Sequence, residues 1–141
     1  DAKVGVDPPY LRISVESEGK SISIYNVPSA PPISPSSLER RNALLSLLSQ
    51  EIQPQASSTI LLGDLNTSPW SVFFKDFIRQ SGLKDSRLGQ GLRVSWPSWF
   101  PVGMIPIDYC LSGSDFETAS VETLSIKGSD HLGLLCELSV P

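Results

Sequence analysis

Five polar residues stand where hydrophobic segments begin or end, and their types could share one chemistry. Asp64 and Asn66 follow the apolar run Ile60-Leu61-Leu62 with only Gly63 between. Asp108 lies inside the strand-like Ile107-Asp108-Tyr109-Cys110-Leu111, and Asp130-His131 precede Leu132-Gly133-Leu134-Leu135. His131 is the only histidine of the chain. Aspartate oxygens are the hard ligands that Mg²⁺ prefers. An amide orients water or phosphate without titrating, and a histidine held by a carboxylate presents a proton or a positive charge. Phosphoester hydrolysis needs those parts: a cation against the phosphate, a group that activates water, and donors aimed at developing charge. Each residue also has a plainer reading. Asp64 and Asn66 are common turn formers, Asp108 fits the wet face of a sheet, and His131 fits a turn.

Convergence requires elements that bring three distant segments together. Leu11 to Val15 and Ile22 to Ile24 alternate apolar and polar around Glu18-Gly19-Lys20, which predicts a β-hairpin with one buried face. Residues 28–35 hold four prolines and predict a stiff loop. Ser36-Ser37 and Glu39 signal a helix start, followed by Leu38, Leu44, Leu45, Leu47, Leu48 and Ile52 as its apolar stripe and Pro54 past its end. Thr59 to Leu62 predicts a strand buried on both faces. A second helix is expected from Pro69 or Trp70 to about Gln80, with Ser68 as its cap and Ser81-Gly82 as its end. Residues 92–94, 107–111, 116–124 and 132–140 predict further strands. The fold class is therefore α/β of the α+β type, helices packed on a mainly antiparallel mixed sheet. In such sheets, ligands bind in the crevice at the carboxyl ends of strands.

Composition narrows the partners. The chain has 141 residues with 11 Lys and Arg against 15 Asp and Glu, a net charge of −4. One domain is expected, without the basic face that a standing affinity for nucleic acid needs. A bound cation would still admit a phosphate substrate. Cys110 and Cys136 are too few for a disulfide scaffold and read as small core residues. No apolar run of membrane-spanning length or signal-peptide pattern is present, so the chain as given is expected to be soluble.

Gly63-Asp64-Leu65-Asn66-Thr67-Ser68-Pro69-Trp70-Ser71, Ile107-Asp108-Tyr109 and Gly128-Ser129-Asp130-His131 together resemble the three ordered signatures of the endonuclease/exonuclease/phosphatase superfamily. Residues 82–85 and 95–97 are similar to an uncharacterised bacterial subgroup of it. The resemblance implies that Asp64 activates the attacking water, with Asn66 holding water and phosphate. It implies that Asp130, with Asp64, lies on the side of a Mg²⁺ or Mn²⁺ ion, and that His131, polarised by Asp108, contacts the phosphate. It implies a four-layer sandwich, of which residues 1–141 match the carboxyl-terminal half. The family's early asparagine and its metal-binding glutamate have no counterpart, since Glu16, Glu18 and Glu39 lack the motif. Where many members carry a histidine this chain has Asn26, which could bond a phosphate but cannot act as an acid.

The expectations that follow are a metal-dependent phosphoesterase whose metal site is incomplete in this chain alone, or alternatively a non-catalytic binding or assembly module on the same scaffold. An exposed sheet face is expected, covered by self-association or by the missing amino-terminal half. The longer parent could be tethered to a bacterial membrane. Trp96, in the aromatic loop Trp96-Pro97-Ser98-Trp99-Phe100-Pro101, is a candidate substrate contact beside its role in packing.

Overall fold

The structure, a computed structural model, describes residues 3–4, 10–17 and 19–140. Ten elements follow in order: β1 (Lys3–Val4), β2 (Leu11–Ser17), β3 (Lys20–Asn26), α1 (Pro35–Ile52), β4 (Thr59–Asp64), α2 (Val72–Ser81), β5 (Lys84–Asp85), β6 (Asp108–Ser112), β7 (Glu117–Ser125) and β8 (Leu132–Ser139). One sheet runs β1-β2-β3-β4-β6-β5, antiparallel except where α1 carries the chain from β3 to a parallel β4. The second sheet is the antiparallel ribbon β7–β8. The predicted α/β class, mainly antiparallel with flanking helices, is the class observed.

Helix α1 starts slightly before the expected point. Ser34 caps it by accepting from the Ser37 amide at 3.2 Å while the Ser37 hydroxyl accepts from the Ser34 amide at 3.0 Å. Pro35, its first residue, needs no amide partner there. Its buried stripe is Ser37, Arg41, Leu44, Leu45, Leu48, Ser49 and Ile52, at spacings of three and four that put one face on the sheet. Leu38 and Leu47, expected in that stripe, face outward, 36% and 37% exposed. Helix α2 begins at Val72 because Pro69 and Trp70 are spent on a turn closed by the Ser71 amide and the Ser68 carbonyl; Ser71, not Ser68, is the cap residue. Gly82, at φ +76, ends it with a bond to the Ile78 carbonyl.

Phe74 and Phe77 of α2 and the α1 stripe bury Tyr25, Leu61, Tyr109 and Leu111, which share one face of the large sheet. Phe74 stacks on Tyr109 with centroids 4.4 Å apart. The opposite face carries Leu11, Ile13, Val15 and Leu62 at 37–42% exposure. The hairpin's apolar face, expected to be buried, is therefore exposed, because both helices pack on the other side of the sheet. Strand β4 is thus covered on one face rather than on both as expected: Thr59 and Leu61 are fully buried, whereas Leu62 is 39% exposed. On that second face Cys110 of β6 lies against Cys136 of β8, which seats the ribbon; Cys110 is buried and Cys136 half-buried.

Residues 92–94 form no strand. Strand β6 has β4 on one side and β5 on the other, and the segment pairs with neither β6 nor β5, the edge strand of that sheet. It passes instead through glycines at φ +80 at positions 89 and 91 to an isolated bridge between Trp96 and Ile105. Among the described residues, no helix is long and apolar enough to cross a membrane.

Candidate active site

Gly63 determines how Asp64 is presented. The parallel pairing of β3 and β4 continues past the strand ends through Val27 N to Leu62 O and Ser29 N to Asp64 O, both 2.8 Å. That close approach leaves no room for a Cβ at position 63, which would collide with the Val27 carbonyl, and the backbone there is at φ +138. Only glycine combines that conformation with that approach. Asp64 then folds back on its own chain: Oδ1 accepts from the Asn66 amide at 2.7 Å and Oδ2 from Asn66 Nδ2 at 2.9 Å. Asn66 sits at φ +46, a conformation Asn tolerates better than most residues. Its Nδ2 also donates to the Ser29 carbonyl at 2.9 Å, and its own carbonyl accepts from Arg41 Nη1 at 2.6 Å.

Strand pairing sets Asp108 directly opposite Asp64. The buried Ser95 hydroxyl accepts from the amides of Ile107 and Asp108 at 3.3 and 3.2 Å, while its carbonyl accepts from the Leu132 amide at 2.8 Å. Ser95 therefore joins the start of β6 to the start of β8. His131, just before β8, places Nδ1 2.9 Å from Asp108 Oδ2. One ligand atom from each of Asp64, Asp108 and His131 falls within 4.8 Å of the others.

The environment tunes these groups in complementary directions. Burial raises the Asp64 carboxyl, opposed by the Asn66 amide bond, raised again by Asp108 and lowered by His131, to a pKa of about 6. Burial lowers the His131 pKa, but the hydrogen bond and charge of Asp108, with Asp64 and Asp130, outweigh it and hold the imidazole above its ordinary value. The arrangement can take a proton at Asp64 and favours positive charge at His131.

Asp130 is exposed and lies outside the three-residue group; its Oδ2 accepts from Trp96 Nε1 at 3.1 Å. It nevertheless lines the same cavity as Asp64, Asn66, Trp96 and His131, a space of about 620 Å³. Asn26, exposed at the end of β3, is not among the residues lining it.

Three supporting residues carry no motif in the sequence. Arg41 is 5% exposed and holds the Asn66 backbone; an arginine on the buried stripe of a helix was the available signal. Arg87, 7% exposed, pairs with Asp85 at 2.7 Å, lies 4.2 Å from the Tyr109 ring centroid and donates to the Asp108 carbonyl at 3.3 Å. Ser29 carries no local signal, because its role rests on a backbone carbonyl.

Comparison with known proteins adds to this geometry. Residues 2–131 match the model of the Endonuclease/Exonuclease/phosphatase family. Among solved structures, a functionally unknown conserved protein from Enterococcus faecalis V583 superposes with a TM-score of 0.72 at 19% identity, covering 94% of this chain and 56% of that one. An endonuclease/exonuclease/phosphatase from Beutenbergia cavernae DSM 12333 gives 0.72 at 20% identity, with 94% and 39% covered. A mannosyl-6-phosphatase from Bacteroides thetaiotaomicron VPI-5482 gives 0.67 at 17%, with 93% and 56% covered. This chain thus spans 39% to 56% of the length of those three. No curated protein matches it by sequence.

Proposed function

This chain belongs to the endonuclease/exonuclease/phosphatase family, and from that premise we propose that it forms the water-activating and phosphate-binding side of a metal-dependent phosphoesterase. The observation that carries the reading is the meeting of Asp64, Asp108 and His131, from three segments distant in sequence, within 4.8 Å at a cavity of about 620 Å³. A mannosyl-6-phosphatase among proteins of the same fold agrees with phosphate-ester chemistry.

Each residue has a task that follows from its surroundings. Asp64, with a pKa near 6, accepts a proton from water close to neutral pH, where a catalytic base is most efficient. Asn66 fixes the Asp64 carboxylate with two donors, and its amide oxygen can accept from the attacking water. His131, whose charged form the Asp108 hydrogen bond and charge favour, donates to the phosphate and offsets the charge that develops on it. Trp96 anchors Asp130 at the cavity rim.

The donor set suits a hard divalent cation. Asp64 and Asp108 face each other across paired strands, partly buried, and Asp108 adds to the rise of the Asp64 pKa, so the pair gains from a positive charge. Asp64 and Asp108 would hold Mg²⁺ or Mn²⁺, with Asp130, which lines the same cavity as Asp64, as the further candidate ligand; the ion would supply Lewis-acid charge to the phosphate oxygen.

The same reading takes residues 1–141 as the carboxyl-terminal half of the family domain. It is supported by the fraction of the related structures the chain spans and by the apolar sheet face of Leu11, Ile13, Val15 and Leu62, which the other half would cover. The experiment is hydrolysis of bis(p-nitrophenyl) phosphate and p-nitrophenyl phosphate by the full-length protein with Mg²⁺, with chelator, and as His131→Asn. Turnover that needs the metal and falls at least about 100-fold in the variant supports the assignment. A folded protein with no turnover under any condition favours a binding or assembly module instead.

A further inference from the structure

The cavity is larger than a phosphate group requires and falls within the range of sites that enclose a whole small molecule. Its polar groups gather on Asp64, Asn66, Asp130 and His131. Apart from Ser29, the rest of the wall is apolar, from Pro31, Pro32 and Ile33 of the loop before α1 and from Trp96, Ile105 and Ile107 of the segment leading into β6. Ile33 is 87% exposed, an unusual position for isoleucine unless something apolar meets it. The apolar character continues along the loop after Trp96, where Trp99 is 74%, Phe100 50% and Val102 94% exposed. Among the described residues lining the cavity there is no lysine or arginine.

Those features discriminate between phosphate esters. A polynucleotide or a multiply phosphorylated substrate brings further anionic groups, and each would enter a site lined by carboxylates on a chain of net charge −4. Recognition of such substrates ordinarily rests on Lys and Arg that track the phosphates. An apolar substituent finds prolines, aliphatic side chains and an indole held in place by its bond to Asp130. We propose that the site takes an ester bearing a single phosphate and an apolar aryl or acyl-chain moiety, the moiety lying along Ile33 and Trp96; this rests on the phosphoesterase reading above.

The test uses phosphonates, which are not hydrolysed, so that binding is read apart from catalysis. Titration calorimetry on the full-length protein with Mg²⁺ compares phenylphosphonate, methylphosphonate and a 5′-phosphorylated thymidine dinucleotide, which carries two phosphates. Phenylphosphonate should bind at least about tenfold more tightly than methylphosphonate, the scale on which apolar pockets discriminate, and more tightly than the dinucleotide. Ile33→Asp should close the gap between the two phosphonates. Equal affinities, a preference for the dinucleotide, or no binding of either phosphonate overturns the proposal. Phenylphosphonate preference without turnover of any ester sinks the catalytic reading alone, whereas turnover without that preference sinks this inference alone. Sedimentation with phosphatidylcholine vesicles, lost in Ile33→Asp, identifies a membrane lipid as the source of the apolar ester. Its absence beside a retained phenyl preference identifies a soluble one.

Discussion

Replacing Asp64 by Asn separates what the residue does for the fold from what it does for chemistry. In the folded chain its carboxyl is raised from 3.8 to about 6, chiefly by burial. Below about pH 4 the group is protonated in folded and unfolded chains alike and costs nothing. As pH rises toward 6 the unfolded chain loses this proton first, so the folded state loses stability, and above pH 6 the full penalty is present. A rise of about two pH units corresponds to roughly 3 kcal/mol, reduced to about 2 kcal/mol because Asp64 keeps partial contact with solvent. The carboxamide introduced by Asp64→Asn carries no charge, so it escapes this penalty, but its NH₂ would oppose Asn66 Nδ2, at about 1 kcal/mol. In chelator, Asp64→Asn should therefore be about 1 kcal/mol less stable than the wild type at pH 4 and about 1 kcal/mol more stable at pH 7.5. Urea unfolding of both proteins at the two pH values measures the difference directly. At the same time, phosphodiester turnover at pH 7.5 should fall at least about 100-fold. A stability gap that does not change with pH refutes the claim that Asp64 is a strained, buried carboxylate.

Further perturbations test the supports. Gly63→Ala should destabilise by at least roughly 1–3 kcal/mol in denaturant unfolding, since the new Cβ meets the Val27 carbonyl at a backbone angle Ala avoids. Arg41→Met removes the donor that holds the Asn66 carbonyl; kcat should drop while KM stays within about threefold, as steady-state kinetics would read. Tyr109→Phe loses the 2.7 Å bond to the Thr67 carbonyl and should cost about 1–2 kcal/mol in thermal or chemical unfolding. Asp108→Asn should lower the His131 pKa, because the charge that raises it is lost and the bond to a neutral amide is weaker, while burial remains; the imidazole NMR titration of this single histidine reports the change.

The fold and the site were legible in the sequence to different depths. The three- and four-residue spacing around Leu44, Leu45 and Leu48 came from burial on one face, which sequence pattern records well. The period-two alternation in β2 and β3 marked the hairpin but not its buried face, since Leu11, Ile13 and Val15 are exposed while Ser23 and Tyr25 are buried. Asp64, Asn66, Asp108 and His131 were legible because their three segments carry ordered motifs that together resemble one family; singly, each reads as a turn or surface residue. Element ends were less so: Pro69 and Trp70 have helix-compatible chemistry but serve a turn, and Ser34 rather than Ser36 caps α1 because Ser37 replaces the usual Glu or Gln of the box. The segment 92–94 has strand-like residues but pairs with no strand, a matter of tertiary placement that no local window contains. Arg41, Arg87 and Ser95 act through backbone carbonyls and amides of distant segments, which leave no mark on residue spacing.

The central claim is that three strand ends form one phosphate and metal site, and the single histidine offers the most direct measurement of it. The His131 imidazole resonances of the full-length protein should shift when inorganic phosphate is added with Mg²⁺. They should shift far less with phosphate and chelator, and not at all in Asp64→Asn with both present. Resonances that ignore phosphate and Mg²⁺ in the folded wild type would contradict it.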